Sequence, residues 1–555
     1  MTPTRYVIGS LICLTAIACG RSDAGGGGET GGTVIVASGA DADAVLPPLI
    51  MSIVGKMVVD QVYEPLADIS DSLNAIGDRG FTPRLAKSWT WAADSQSVAF
   101  NLDPAAKWHD GKPVRAQDVK FSHSLYVDPA IHSISASNLS NVDSIATPDS
   151  ATAVVWFKRR SPEQFFDFVY NLRVMPEHRL GSIARDKLAQ SSEATQPVGS
   201  GPFRFVRWER SSLLELEADT ANWRARPLLD RIILSVSPDA TAATTRVLAG
   251  EADFIEVLRG DAIQGIQNNP NAVAMNFQGY DYGAVHWNLR DPANEQRPHP
   301  ILGDRNVRRA LAIGLDRATI VKSVLDTLGV VSQGPYVRAQ AFVDPTLVAY
   351  PYDATAARAI LDSLGWKLGP DSIRVKDGRR LALSVIVPTA STTRMRLSVI
   401  MQDQLKQLGV DLKRETIETN ALSERVFGTR KWDAAFMGWH PDPGSSAVAQ
   451  NWSSATAVPG GPNISRYTSR EFDAHLDSAR TTYDPAAARA HFKQAFTVLN
   501  SDAPAIWIYE LRSAVGIHKR IRPAPFRPDA WWAHLDRWSI APDQRIARDN
   551  VGLGK

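Results

Sequence analysis

Apolar positions along the chain switch repeatedly between two spacings. Val98, Phe100 and Leu102 alternate with polar or small neighbours, as do Leu383, Val385 and Val387, and that period of two predicts half-buried strands. Elsewhere the steps are three and four. Val307, Ala310, Leu311, Gly314 and Leu315 mark one helical face, and Ile320, Val321, Val324, Leu325 and Leu328 mark another. Asp353 is placed as N-cap of a helix carrying Ala357, Ile360, Leu361 and Leu364, with Gly365 to end it. Asp484-Pro485 opens a helix bearing Phe492, Ala495, Phe496 and Leu499, because an acceptor at the cap and proline in the first turn both suit a helix start. The mixture persists along the chain without internal repeats, which places it in the α/β class.

The sharpest local pattern is Lys107-Trp108-His109-Asp110-Gly111-Lys112-Pro113-Val114-Arg115-Ala116-Gln117-Asp118-Val119-Lys120-Phe121-Ser122. It predicts an extended segment, a tight turn and a helix beginning near Ala116. Gly111 can supply a positive φ there, and Pro113 cannot donate to a ladder.

At the N-terminus, Tyr6 to Ala18 is an apolar run broken only by Gly9, Ser10 and Thr15, after Arg5. It is too short to span a bilayer and has the length of a signal-peptide core. Residues 1–18 are therefore read as a signal peptide. Ala16-Ile17-Ala18-Cys19 resembles a bacterial lipobox, with Cys19 as the lipidated residue and Ala16 where leucine is usual; an ordinary signal peptide cut nearby is the alternative. Residues 19–32 are glycine-rich and cannot form a core, so they read as a flexible tether with a typical reach of about 20 Å. Both cysteines, Cys13 and Cys19, lie in this region, leaving no disulfide for the mature domain.

Composition narrows the function. The 555 residues carry a formal charge of +2, which implies no strongly basic face and argues against a nucleic-acid partner. Sequence signatures of zinc peptidases, serine hydrolases, P-loops and calcium loops are missing, and the 11 histidines show no metal-ligand spacing. The expectation is a binder, not an enzyme, with no cofactor and no metal.

The string from Lys107 to Ser122 resembles the signature of the family-5 extracellular solute-binding proteins, the peptide- and nickel-type receptors of ABC importers. Val62-Tyr63-Glu64-Pro65-Leu66 and Pro83 to Trp89 resemble the family's upstream segments; Pro197 to Phe203, Asn222-Trp223, Gly250 to Asp253 and Asp304 to Leu311 continue the series. So do Gly438 to Pro443, Phe472-Asp473 and Asp502 to Ile506. The resemblance implies a two-lobed, pear-shaped, type II periplasmic-binding-protein fold with three domains and an inter-lobe ligand cleft. Mapped onto this chain, domain I comprises 33–60, 198–280 and 505–555, domain II 61–197 and domain III 281–504.

It also implies a function: an exported, periplasmic or cell-surface receptor, held to the membrane by its lipid, expected as a monomer. Such a receptor captures a peptide or similar small solute between its lobes and hands it to the ABC permease. Receptors for a nickel chelate, sugar or haem are the alternative, and an exported hydrolase or assembly factor is the alternative of another class. In the family's peptide binders the position of Asp442 pairs with the ligand's α-amine. Pro443 follows Asp442 directly, a shortening of the usual spacer. Trp439 reads as a cleft wall or as core packing, and His440 as a polar pocket wall or a solvated turn residue. Arg396, ahead of Arg394, aligns with a carboxylate-binding arginine of dipeptide-type relatives. Ser38 and Gly39 resemble a segment that offers backbone groups to ligand. Trp452, Trp531, Trp532 and Trp538 could line a cleft or fill the core.

Overall fold

The computed structural model describes residues 30–550; the expected signal peptide, Cys19 and most of the tether lie outside the described residues. Eleven strands form one large sheet. From one edge to the other they run Asp411–Ile417, Ala382–Pro388, Ala434–Trp439, Ala272–Trp287, Ala505–His518, Phe254–Ile255, Thr33–Ser38, Arg231–Val236, Leu213–Ala218 and Phe203–Glu209, with Gly329–Val331 also paired to Ala505–His518. The alternating segment at Leu383 to Val387 is thus an inner strand, and its alternate residues are buried.

Two long antiparallel strands join the halves of this sheet. Ala272 to Gln278 pairs with Arg512 to His518, beside Phe254–Ile255, whereas Tyr282 to His286 pairs with Ala505 to Glu510, beside Ala434–Trp439. Between the two stretches the register slips, so that Gly279, Tyr280 and Asp281 face Leu511 alone. Extra residues on one strand bend and twist it. A Cβ at Gly279 would lie 2.4 Å from the Leu511 carbonyl oxygen, an approach open only to glycine. The slip falls several residues beyond position 505, where the sequence mapping set a boundary.

A separate antiparallel sheet orders Ala86–Trp91, Ser97–Leu102, Thr152–Phe157 and Val142–Ala146. The helix Gln164–Asn171 covers it, with Phe165 and Phe168 centred 5.6 and 5.9 Å from the Phe100 ring. The expected turn forms beside it: Lys107 bridges to Pro113, Gly111 takes φ +84°, and the helix runs Ala116–Tyr126.

Caps behave as their side chains dictate. Asp353 accepts from the Ala356 amide (2.8 Å) ahead of the helix Ala354–Ser363, and Asp484 from that of Ala487 (2.7 Å) ahead of Pro485–Asp502. The helical face from Val307 forms over Arg305–Ile313. The next helix stops at Leu325, because Asp326 takes φ +47°, and Leu328 falls in a short 3-10 turn.

The tether ends earlier than expected. Gly31 and Gly32 are buried; the Gly31 amide donates to the Leu228 carbonyl (2.7 Å), and the Gly32 carbonyl accepts from Asp230 (2.9 Å). The C-terminal segment is fastened by buried ions. Arg520 pairs with Asp253 (2.8 Å) and Asp549 (2.7 Å), and those carboxylates also accept from the amides of Ile35 and Thr33 in the strand Thr33–Ser38. No described helix is long and apolar enough to cross a membrane.

Candidate functional site: a cleft at the strand slip

A cleft of about 650 Å³ is lined from both sides of the slip, by Phe277, Tyr280, Asp281 and Ser513. Such a volume suits a small organic ligand or short peptide. Lys56 and Asp60 reach it from the helix Ile53–Val62, one turn apart on one face. Tyr170, Asn171 and Arg173 come from the end of the helix Gln164–Asn171 and the chain just after it. Glu256 directly follows Phe254–Ile255, and His440 and Asp442 follow Ala434–Trp439. Asp529, Trp531 and Trp532 belong to the C-terminal segment. Glu256 stands beyond the carboxyl end of its strand, where open α/β sheets bind ligands.

The charges sort into pairs, with two left over. Asp60 takes Lys56 (2.7 Å), Arg173 (2.7 Å) and the Trp532 indole (2.9 Å). Burial would raise its pKa, but the two cations hold it below the usual carboxylate range. Asp529 pairs with Arg527 (2.7 Å) and accepts from the Tyr170 hydroxyl (3.2 Å). Asp281 meets His440 Nδ1 at 3.2 Å. Burial disfavours the imidazolium of His440, yet that contact and the nearby charges of Asp281, Asp442 and Asp529 raise its pKa.

Asp442 and Glu256 have no such partner. Among the described residues the Asp442 carboxylate makes neither ion pair nor hydrogen bond, and burial raises its pKa although Lys56 and His440 lie near enough to oppose the shift. Its backbone carbonyl accepts from Gln340 (2.7 Å), which fixes the loop. Tyr280, 1% exposed, also brings an unpartnered hydroxyl to this region. Glu256 accepts from the Ser38 hydroxyl (3.1 Å), the Gly39 amide (3.4 Å) and the Trp531 indole (3.3 Å), all neutral donors, and burial raises its pKa too.

The sequence-predicted residues divide accordingly. Asp442 and His440 line the cleft. Trp439, one residue earlier on the strand, does not: its indole donates to Nε2 of the buried His286 (3.0 Å). Burial brings His286 down to about 3, so the ring is neutral and can accept; its Nδ1 meets the Ser465 hydroxyl at 3.5 Å, and its ring stacks on Trp452 at 5.2 Å. Ser38 and Gly39 stand one layer back and hold Glu256. Arg396 is exposed on the helix Thr392–Gln407, away from the cleft wall. Arg394 is the inward member of that pair, with its guanidinium over Gly438, yet it is not on the wall either. Trp531 and Trp532 line the cleft, while Trp452 and Trp538 are fully buried.

Lys56, Asp60, Tyr280, Asp281 and Glu256 were not singled out from the sequence. The i,i+4 spacing of Lys56 and Asp60 was a readable signal of pairing, but not of a cleft. Glu256 gave none beyond its place shortly after Gly250 to Asp253.

The chain is similar to known proteins over most of its length. The profile of the bacterial extracellular solute-binding proteins, family 5, matches residues 80–460. The oligopeptide-binding protein AppA of Bacillus subtilis is 25% identical over 453 residues, 79% of this chain and 80% of its own. The dipeptide-binding protein of Escherichia coli is 25% identical over 460 residues, 78% and 81%. In solved structures, AppA from Bacillus subtilis in complex with a nonapeptide superposes with a TM-score of 0.76 at 22% identity, over 93% of this chain and 100% of that one. NikZ from Campylobacter jejuni in complex with Ni(L-His) gives 0.75 at 23%, over 91% and 99%. The fold is that of the two-lobed, type II periplasmic binding proteins, and the chain belongs to the bacterial extracellular solute-binding proteins of family 5.

Proposed function

We infer that this protein is the extracytoplasmic receptor of an ABC importer, and that it captures a peptide by its α-amine and delivers it to the permease. One observation carries the reading: Asp442 presents an unpaired carboxylate to the cleft, beside the unpartnered Tyr280 hydroxyl. A desolvated carboxylate gains most from a ligand ammonium and rejects ligands that leave it unpaired. Membership of family 5 and the peptide-binding relatives support the same ligand class.

In this reading the sheet half around Thr33–Ser38 is domain I, the half around Ala434–Trp439 domain III, and the four-stranded unit domain II. The slip at Gly279 to Asp281 is the hinge. A ligand that touches both halves draws the equilibrium toward the closed state. One chain supplies every cleft wall, so a monomer suffices, and the Cys19 lipid would hold it at the membrane. Binding is stoichiometric, without turnover. Native mass spectrometry of gently purified protein tests this: a co-purified peptide is expected, and a co-purified sugar or metal chelate would overturn it.

A further inference from the structure

Within the reading of the cleft as a peptide site, we propose that Glu256 is a second cation-recognition point and that the preferred ligand is a short peptide carrying a lysine or arginine side chain. The cleft is lined by five carboxylates, Asp60, Glu256, Asp281, Asp442 and Asp529, against two permanent cations, Lys56 and Arg173. Both cations are already bound to Asp60. Asp281 has His440, and Asp529 has Arg527 from behind the wall. Among the described residues, pairing therefore leaves two negative groups, Asp442 and Glu256, and no uncommitted cation on the wall to match a second acidic group.

Glu256 is oriented by its surroundings and is no incidental surface acid. Three neutral donors from two other segments fix both of its oxygens: Ser38 and Gly39 on Oε1, Trp531 on Oε2. Those bonds orient the carboxylate without neutralising it. A partly desolvated charge left in this state is a liability unless a partner arrives. The Trp531 ring and the nearby Phe277 ring give the wall aromatic faces, which suit the stem and head of a basic side chain. The unpartnered Tyr280 hydroxyl, buried in the same lining, is a separate sign of a missing polar ligand group.

The two carboxylates also stand on different halves of the large sheet, Glu256 after Phe254–Ile255 and Asp442 after Ala434–Trp439. A ligand with two cationic groups satisfies both only when the halves close on it. Charge recognition and closure are thereby coupled, since only differential contacts shift such an equilibrium.

The test is calorimetry on the full mature chain with trialanine, the three tripeptides that replace one alanine by lysine, and the three that replace it by glutamate. At least one lysyl peptide should bind ten-fold or more tighter than trialanine, and its glutamyl counterpart ten-fold or more weaker than the lysyl one. In Glu256→Gln the lysyl-to-alanyl ratio should collapse toward one. Trialanine binding without any lysyl preference in the unaltered protein overturns this inference and leaves peptide capture standing; so does a preference that persists in Glu256→Gln. The wild-type comparison decides alone if that variant fails to fold. Binding of none of the seven peptides overturns the peptide reading, and this inference with it.

Discussion

Replacing Asp442 by Asn removes one charge and almost no volume, so it isolates the electrostatic share of amine recognition. Truncating one partner of a buried charge pair costs about 2–5 kcal/mol. The lower half of that range applies here. The cleft is open to water at its mouth, and Lys56 lies close enough to offset part of the Asp442 charge. A loss of about 2–3 kcal/mol raises Kd for a free-amine peptide by roughly 30- to 150-fold. N-acetylation of the peptide should cost the wild-type protein a similar amount and the variant little. Folding should not suffer, because the carboxylate makes no hydrogen bond to lose. The pH dependence has a definite sign. Burial raises the Asp442 pKa, and the amine needs the ionised form, so affinity falls as pH drops through a value above the usual carboxylate range. The Asp442→Asn variant lacks that step. Calorimetry with free and acetylated peptides measures all three effects. Equal affinities for the wild type and the variant would refute the reasoning.

Four further outcomes follow from other parts of the molecule. Glu163 is buried and accepts from the Ser445 amide (2.9 Å) and hydroxyl (2.8 Å), with Asp167 beside it. Burial first, and for Asp167 then the Glu163 charge, raise both native pKa values; their stability contribution is full below about pH 4 and lost as pH rises through the raised values. Urea unfolding from pH 4 to 8 should show that decline in the wild type and a flatter curve in Glu163→Gln/Asp167→Asn. Arg520→Met leaves Asp549 buried without its cation, while Asp253 keeps Arg548 (2.6 Å), and should cost about 3 kcal/mol in urea unfolding, against under 1 if the network is idle. Arg396→Ala should change peptide affinity by less than about 0.5 kcal/mol, as an exposed residue off the cleft wall; a larger loss by calorimetry would restore it as a ligand contact. Cys19→Ser should release the protein from membranes, and unchanged membrane association on fractionation would refute acylation there.

Most of the fold was legible because its signals are local. A period of two at Val98 to Leu102 and Leu383 to Val387 marks strands that each bury one face or both. Asp353 and Asp484 announce helices because an N-cap depends only on a side chain and an amide three residues on. The turn at Gly111 is equally self-contained. The slip in Ala272–Trp287 was not legible. That strand is continuous in sequence, and the three residues facing Leu511 are set by the length of the partner strand more than 220 positions later.

The site divides along the same line. Asp442 could be found because it sits in a motif carried by one short segment, whereas Glu256 could not. Its meaning arises from what fails to approach it: three neutral donors arrive from Ser38, Gly39 and Trp531, and among the described residues no cation does. The same reasoning explains the arginines. Arg394 and Arg396 are two apart on one helix, so their side chains point about 200° apart around its axis and at most one can face the sheet. The resemblance to dipeptide-type relatives favours Arg396, whereas packing over Gly438 makes Arg394 the inward member. Trp439 and His440 are adjacent at the end of a strand, where successive side chains point to opposite faces. Once His440 lines the cleft, Trp439 must turn to the other side, and there it meets His286, a neutral acceptor that the fold has already buried.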